Sequence, residues 1–173
     1  MVEDDGRWPE RYAEVATTIR RALGERVLAL HHVGSTSVAG LPAKPVVDVD
    51  LVVADPTDEA AYVTDLVAVG FAHVIREPWW HEHRLLKLRT PFTHVHVFGP
   101  ECPEVVRHLM FRDWLLAQDD DRAAYVAAKR AASAAIRAAG GTGMDYNRVK
   151  EPMVLAIYER MFWAHGLLTD DTD

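Results

Sequence analysis

The chain predicts an α+β fold of the α/β type: a mixed β-sheet with flanking helices, followed by a helical C-terminal part. Three observations carry this reading. Up to Pro100 the apolar residues alternate between helical spacing and short β-branched runs. Beyond Pro100 only helical spacing remains. The length of 173 residues supplies one substantial core and makes two independent domains unusual. One domain is therefore expected over residues 1–168, with a sheet part near 8–100 and a helical part near 101–166. The acidic tail 169–173 is expected to be disordered.

The elements follow in order. Val15, Ile19 and Leu23 make one stripe of a helix over 11–23, closed by Gly24. Residues 27–33 read as a strand, 34–45 as an ordered loop, and 46–53 as a second, buried strand. A helix is expected over 58–69, stopped by Gly70, and a strand over 71–76. After the irregular EPWWHEH, residues 84–89 and 93–98 predict a hairpin turning at Thr90, Pro91 and Phe92. Helices are expected over 103–118, 121–139 and 145–165, with glycines 140 and 141 ending the second. The alanine-rich run in the middle helix reflects high helix propensity and is not a linker.

Composition narrows the function classes. With 49% apolar and 26% charged residues, the chain has the balance of a soluble globular protein. Its single cysteine, Cys102, excludes an internal disulfide and a cysteine zinc cage, so a cytoplasmic location is expected. No apolar run approaches the roughly 20 residues of a membrane helix, and the start MVEDDGRWPE is unlike a signal peptide. A net charge of -7 argues against a broad nucleic-acid surface, because such binding rests on Lys and Arg neutralising phosphates.

The chemistry concentrates between His31 and Val53. On a strand reading VVDVDLVV, Asp48 and Asp50 share one face while Val47, Val49 and Leu51 take the other. Their Cα atoms then lie roughly 6.6 Å apart, and two like charges in an apolar strand call for a cation. Mg²⁺ or Mn²⁺ suits carboxylate oxygens and completes its shell with substrate phosphates. The preceding turn offers Gly34 for close backbone approach and Ser35, Thr36 and Ser37 for hydroxyls and N–H groups, with Lys44 as a further positive charge. Together these predict a metal-bridged phosphate site. A P-loop is excluded, since GSTSVAGLPAKP lacks the lysine–hydroxyl pair after its second glycine.

The block HVGSTSVAGLPAKPVVDVDLVV resembles the signature of the GrpB family, a branch of the nucleotidyltransferase superfamily. THVHVF, HLMFRDWL, Tyr125 with Lys129, and Tyr146 with Lys150 fall where that family has similar patterns, so the resemblance runs from about Trp8 to about Ala164. It implies a nucleotidyltransferase-like fold, Gly34 and Ser35 as the nucleotide-phosphate turn, and Asp48 and Asp50 as metal ligands. Some members of the family occur fused behind dephospho-coenzyme A kinase, which points towards nucleotide or cofactor metabolism.

One departure matters. Active nucleotidyltransferases usually add a third carboxylate from a later strand, where this chain has His94 and His96. These share a face by period two, as do Lys87 and Arg89 on the preceding strand, which are candidate charge stabilisers. Imidazole suits Zn²⁺ or Mn²⁺ better than Mg²⁺ and also serves as a general base. His96 is thus a candidate third ligand or base, His94 a candidate substrate contact, and plain hydrogen-bonded strand residues the bland alternative. WWHEHR is not an H-E-x-x-H zinc helix, so His81 and His83 are expected at surface or lid positions, with membership of a metal site the alternative if this segment is extended chain. Trp79 and Trp80 are expected either to stack on a base or to pack. Tyr125 with Lys129, and Tyr146 with Lys150, share helix faces from which they can reach a nucleotide or acceptor.

Three readings stay open. The first is a metal-dependent nucleotidyltransferase passing a nucleotidyl group from a nucleoside triphosphate to a small-molecule or protein acceptor. The second is a nucleotide-binding or regulatory module with a degenerate site. The third is a histidine-based metal protein holding Zn²⁺. Membrane and nucleic acid are not expected partners.

Overall fold

The computed structural model describes residues 1–140 and 143–169. The chain divides into two compact units, Val2–Arg112 and a second from Asp113 onward together with Met1. The acidic tail expected at 169–173 lies, from 170 on, outside the described residues.

In the first unit, helix α1 (Trp8–Leu23) begins three residues ahead of the expected start at Arg11, because Pro9 suits the first turn. It buries Trp8, Val15, Ile19 and Leu23 and ends at Gly24, whose φ of 59° only glycine adopts freely. Five strands follow the sequence pattern: β1 (Ala29–Val33), β2 (Val47–Val52), β3 (Ala72–Glu77), β4 (His83–Arg89) and β5 (Phe92–Phe98). They form one mixed sheet in the order β1-β2-β5-β4-β3. β2 and β5 are parallel, and every other pairing is antiparallel. The β4–β5 hairpin is tighter than predicted, since Arg89 pairs directly with Phe92 across Thr90 and Pro91.

Alternation along the strands separates two faces. Leu30, Val47, Val49, Leu51, Leu86, Val95 and Val97 join Val15, Ile19 and Leu66 in the core, so α1 and α2 (Val63–Ala68) cover that side. Each such side chain contributes about 1.5–3 kcal/mol on burial. The helix predicted over 58–69 is broken into a 3₁₀ turn, Glu59–Ala61, and the short α2. The break falls at Tyr62, with φ of -146°, whose ring is buried and whose hydroxyl donates to the Pro56 carbonyl at 2.8 Å. Burying that ring outweighs the helix propensity of its neighbours. On the opposite face, Cys102 and Val105 at the start of α3 (Pro103–Ala117) pack with Val52 and Phe98.

The second unit contains α4 (Asp119–Ala139) and α5 (Gly143–Ala164). Three aspartates in the first turn of α4 complement its dipole, which extends the helix two residues beyond the predicted start. Gly140 closes it in the left-handed conformation. Asp121 ties the unit together, accepting from Trp114 Nε1 at 2.7 Å and from Arg160 Nε at 3.0 Å. Among the described residues no helix is long and apolar enough to cross a membrane.

Candidate functional site

The parallel register of β2 and β5 sets Asp48 beside His94 and Asp50 beside His96. All four therefore project from the sheet face that α1 and α2 leave uncovered. Val33, the last residue of β1, pairs with Asp48, so the chain turns at Gly34 directly against that carboxylate. Gly34 has φ of +68°, and a Cβ there would stand 2.6 Å from Asp48 Oδ2. Only glycine lets the turn and the carboxylate meet.

The loop forms a 3₁₀ turn over Ser35–Ser37. At three residues per turn, successive side chains point about 120° apart, so three hydroxyls cannot share one face. Thr36 is buried; its hydroxyl donates to the Val46 carbonyl at 3.0 Å and meets His32 Nε2 at 3.1 Å. Expected to offer that hydroxyl to phosphate, Thr36 instead pins the turn to the start of β2. Ser37 Oγ donates to the Gly34 carbonyl at 2.6 Å. His32 is itself held by stacking on Tyr12, and burial lowers its pKa to about 4.

Asp48, His94 and His96 make a group that can hold a metal: one ligand atom from each lies within 4.8 Å of the others. His94 Nδ1 is 3.4 Å from Asp48 Oδ1. Asp50, expected to share the metal with Asp48, lies outside this group. It has no exposed surface, and His108 Nδ1 from α3 donates to its Oδ2 at 2.8 Å. Burial raises the Asp50 pKa against the opposing pull of His108. Its Oδ1 is buried with no hydrogen-bond partner among the described residues.

His83 also differs from expectation. It is 2% exposed, with Nδ1 2.8 Å from Glu77 Oε2 and Nε2 3.1 Å from His96 Nδ1. The cause is strand alternation: His83 shares the face of Leu85 and Lys87, which faces β5 and its histidines. Trp80 packs edge-on against His83 and Phe98, whereas Trp79 is 80% exposed. Burial lowers the His83 pKa and takes that of His96 down to about 3, so near neutral pH both imidazoles are uncharged. His96 therefore offers a ligand lone pair rather than a base matched to neutral pH.

Of the expected cations, Lys87 pairs in register with His94, Arg89 lies two pairs further along opposite Phe92, and Lys44 is exposed on the loop after the turn. Tyr125 with Lys129, and Tyr146 with Lys150, belong to the helical unit. Each lysine ammonium sits over its tyrosine ring, at 5.1 Å and 5.4 Å. Burial pushes the Tyr146 hydroxyl up to about 12. His108 and Glu77 escaped the sequence reading as site residues, whereas His83, which the sequence allows a metal-site role on extended chain, stands at the start of β4. For His83 the period-two spacing to Lys87 was a usable signal; for His108 only its place four residues after Glu104 on α3 stood out.

The family model described as GrpB protein matches residues 1–160. A UPF0157 protein of Halalkalibacterium halodurans is 48% identical over 130 residues, covering 75% of this chain and 67% of its own. A UPF0157 protein of Streptomyces coelicolor is 41% identical, covering 90% and 80%. A dephospho-CoA kinase of Mycolicibacterium paratuberculosis is 30% identical over 95% of this chain, which spans 46% of that protein. Among solved structures, the conserved protein GrpB from Enterococcus faecalis superposes with a TM-score of 0.75 at 24% identity, covering 92% of this chain and 98% of its own. The Cid1 poly(U) polymerase aligns over 73% of this chain and 43% of its own, with a TM-score of 0.47 and 15% identity.

Proposed function

We propose, from the premise that this chain belongs to the GrpB family, that it is a metal-dependent enzyme of the nucleotidyltransferase type acting on a nucleoside triphosphate. One observation carries the reading: the glycine turn touches Asp48 so closely that a single methyl group would collide with the carboxylate. A turn that offers main-chain N–H groups and a ligand carboxylate meet at one point, which is what a metal-bound polyphosphate needs.

The residues present fit a divalent ion. Asp48, His94 and His96 would hold it, and when bound it supplies charge neutralisation and orientation of the phosphates. The Gly34–Ser37 turn binds the polyphosphate, and Lys87, in register beside His94, balances charge that develops on it. Catalysis is positioning and electrostatics rather than covalent chemistry. The acceptor, a small molecule or a protein, brings the attacking oxygen or nitrogen.

Binding without transfer is a second reading, favoured by Asp50. Asp50, fully buried and bonded through Oδ2 to His108, lies outside the ligand group, which leaves that group one strand carboxylate. Pyrophosphate release with an acceptor separates the two readings. The binding itself is tested by thermal unfolding with Mg²⁺, Mn²⁺ or Zn²⁺ and each of ATP, GTP, CTP and UTP. A nucleotide at about 100 times its Kd adds about 2.7 kcal/mol, or roughly 5–10 °C for a chain of this size. The rise is expected in wild type and absent in Asp48→Asn. No rise with any nucleotide in wild type removes the reading.

A further inference from the structure

The strands facing Asp48 carry more than a ligand set. Behind His96 runs a chain of two hydrogen bonds, from Glu77 Oε2 through His83 to His96 Nδ1. An ionised carboxylate only accepts, so His83 Nδ1 carries the proton that reaches Glu77. A neutral imidazole carries one N–H, so His83 with its proton on Nδ1 presents a bare Nε2 at 3.1 Å from His96 Nδ1. His96 Nδ1 must donate to it. The consequence is fixed by the tautomer: His96 keeps its lone pair on Nε2.

We propose that Asp48, His94 and His96 form a centre for a borderline transition ion of the Zn²⁺ class rather than for Mg²⁺, with Glu77 and His83 as positioning residues that set His96 Nε2 as a ligand. This rests on the assignment of Asp48 as metal anchor made above. Three further observations support it. The donor set is two imidazoles and one carboxylate, which suits Zn²⁺, Mn²⁺ or Fe²⁺ and is poor for Mg²⁺. His94 turns its Nδ1 to within 3.4 Å of Asp48 Oδ1, so a ring nitrogen and a carboxylate oxygen already converge on one point. The Asp48 and His94 side chains stay 29% and 26% exposed, so the centre has an entry side and room for phosphate oxygens in its remaining positions. Metal–ligand bonds of about 2.0–2.2 Å in tetrahedral geometry put ligand atoms about 3.4 Å apart. The present spread of at most 4.8 Å closes by rotamer adjustment of the partly exposed Asp48 and His94 side chains.

Carboxylate–histidine–metal chains of this kind raise ligand basicity and fix ring orientation, and losing the outer partner typically weakens metal binding by about 10–100-fold. The test is a Co²⁺ titration of metal-free protein followed by visible absorption, with Zn²⁺ and Mg²⁺ as competitors and no nucleotide present. Wild type is expected to take one equivalent of Co²⁺ with ligand-field bands, to release it to Zn²⁺, and to keep it against about a thousandfold excess of Mg²⁺. His94→Ala and His96→Ala should lose the bands. Glu77→Ala should weaken binding about tenfold, and Glu77→Gln, which retains an acceptor for His83, should restore most of it. Glu77→Gln keeps the acceptor for buried His83, so its metal-free unfolding midpoint should match wild type and separates positioning from stability. Absent bands, or displacement by Mg²⁺ at comparable concentration, overturn the centre. Unchanged binding in Glu77→Ala overturns the positioning role. Because nucleotide is left out, failure here is separate from failure of the nucleotide-dependent midpoint shift.

Discussion

Adding one methyl group at position 34 probes the meeting of turn and carboxylate. Gly34→Ala forces a non-glycine residue to φ of +68° and drives the Asp48 carboxylate from its place. Backbone strain of that kind costs about 1–3 kcal/mol. Urea unfolding should show this loss, and nucleotide should no longer raise the midpoint. Asp50 and His108 make a second residue-scale test. The Asp50 pKa is raised above its ordinary value of 3.8, so its contribution to stability is full below that value and is lost as pH rises through the raised one. His108 offsets part of that loss by donating to Oδ2. His108→Ala is therefore expected to cost about 3 kcal/mol at pH 8, where a buried carboxylate is left without its partner, and clearly less at pH 4. Urea titrations at the two pH values measure it. Equal losses at both would show that His108 does not act through the Asp50 charge.

Strand pairing supplies the scaffold, and Glu59 is where it is anchored from outside. Its carboxylate accepts from Arg76 on β3 and from Arg84 on β4, each at 2.7 Å. The Arg76 hydrogen bond is the main reason its pKa falls from 4.5 to about 2. A depressed carboxyl contributes stability that is present above pH 4.5 and lost as pH falls towards 2. Wild type should therefore lose denaturation midpoint across that window. Glu59→Gln should start lower at pH 7 and show a shallower decline, and an identical acid profile would remove this account. The elements themselves were largely legible, because period-two and helical spacing both leave direct marks. The break at Tyr62 was not, since nothing local distinguishes an aromatic that turns into the core from one that continues a helix.

Across the whole molecule the net charge of -7 governs what the surface attracts. Duplex DNA and RNA are expected to show no retardation by this protein in gel-shift assays at physiological salt, because nonspecific affinity needs many phosphate-neutralising cations. Retardation at that salt would point to a local basic path that overrides the net charge. Sequence by itself determined the alternation of elements and the shared face of Asp48 and Asp50, since each follows from local stereochemistry and a period of two, whereas the contact that requires glycine at position 34 comes from the pairing of β1 with β2. Only the tertiary structure decided which side chains meet. The parallel pairing of β2 with β5 set Asp48 beside His94, α3 brought His108 onto Asp50, and the β4–β5 register carried His83 to His96. The physical reason is that register and helix docking are settled by core packing between segments distant in sequence. Local spacing does not encode them.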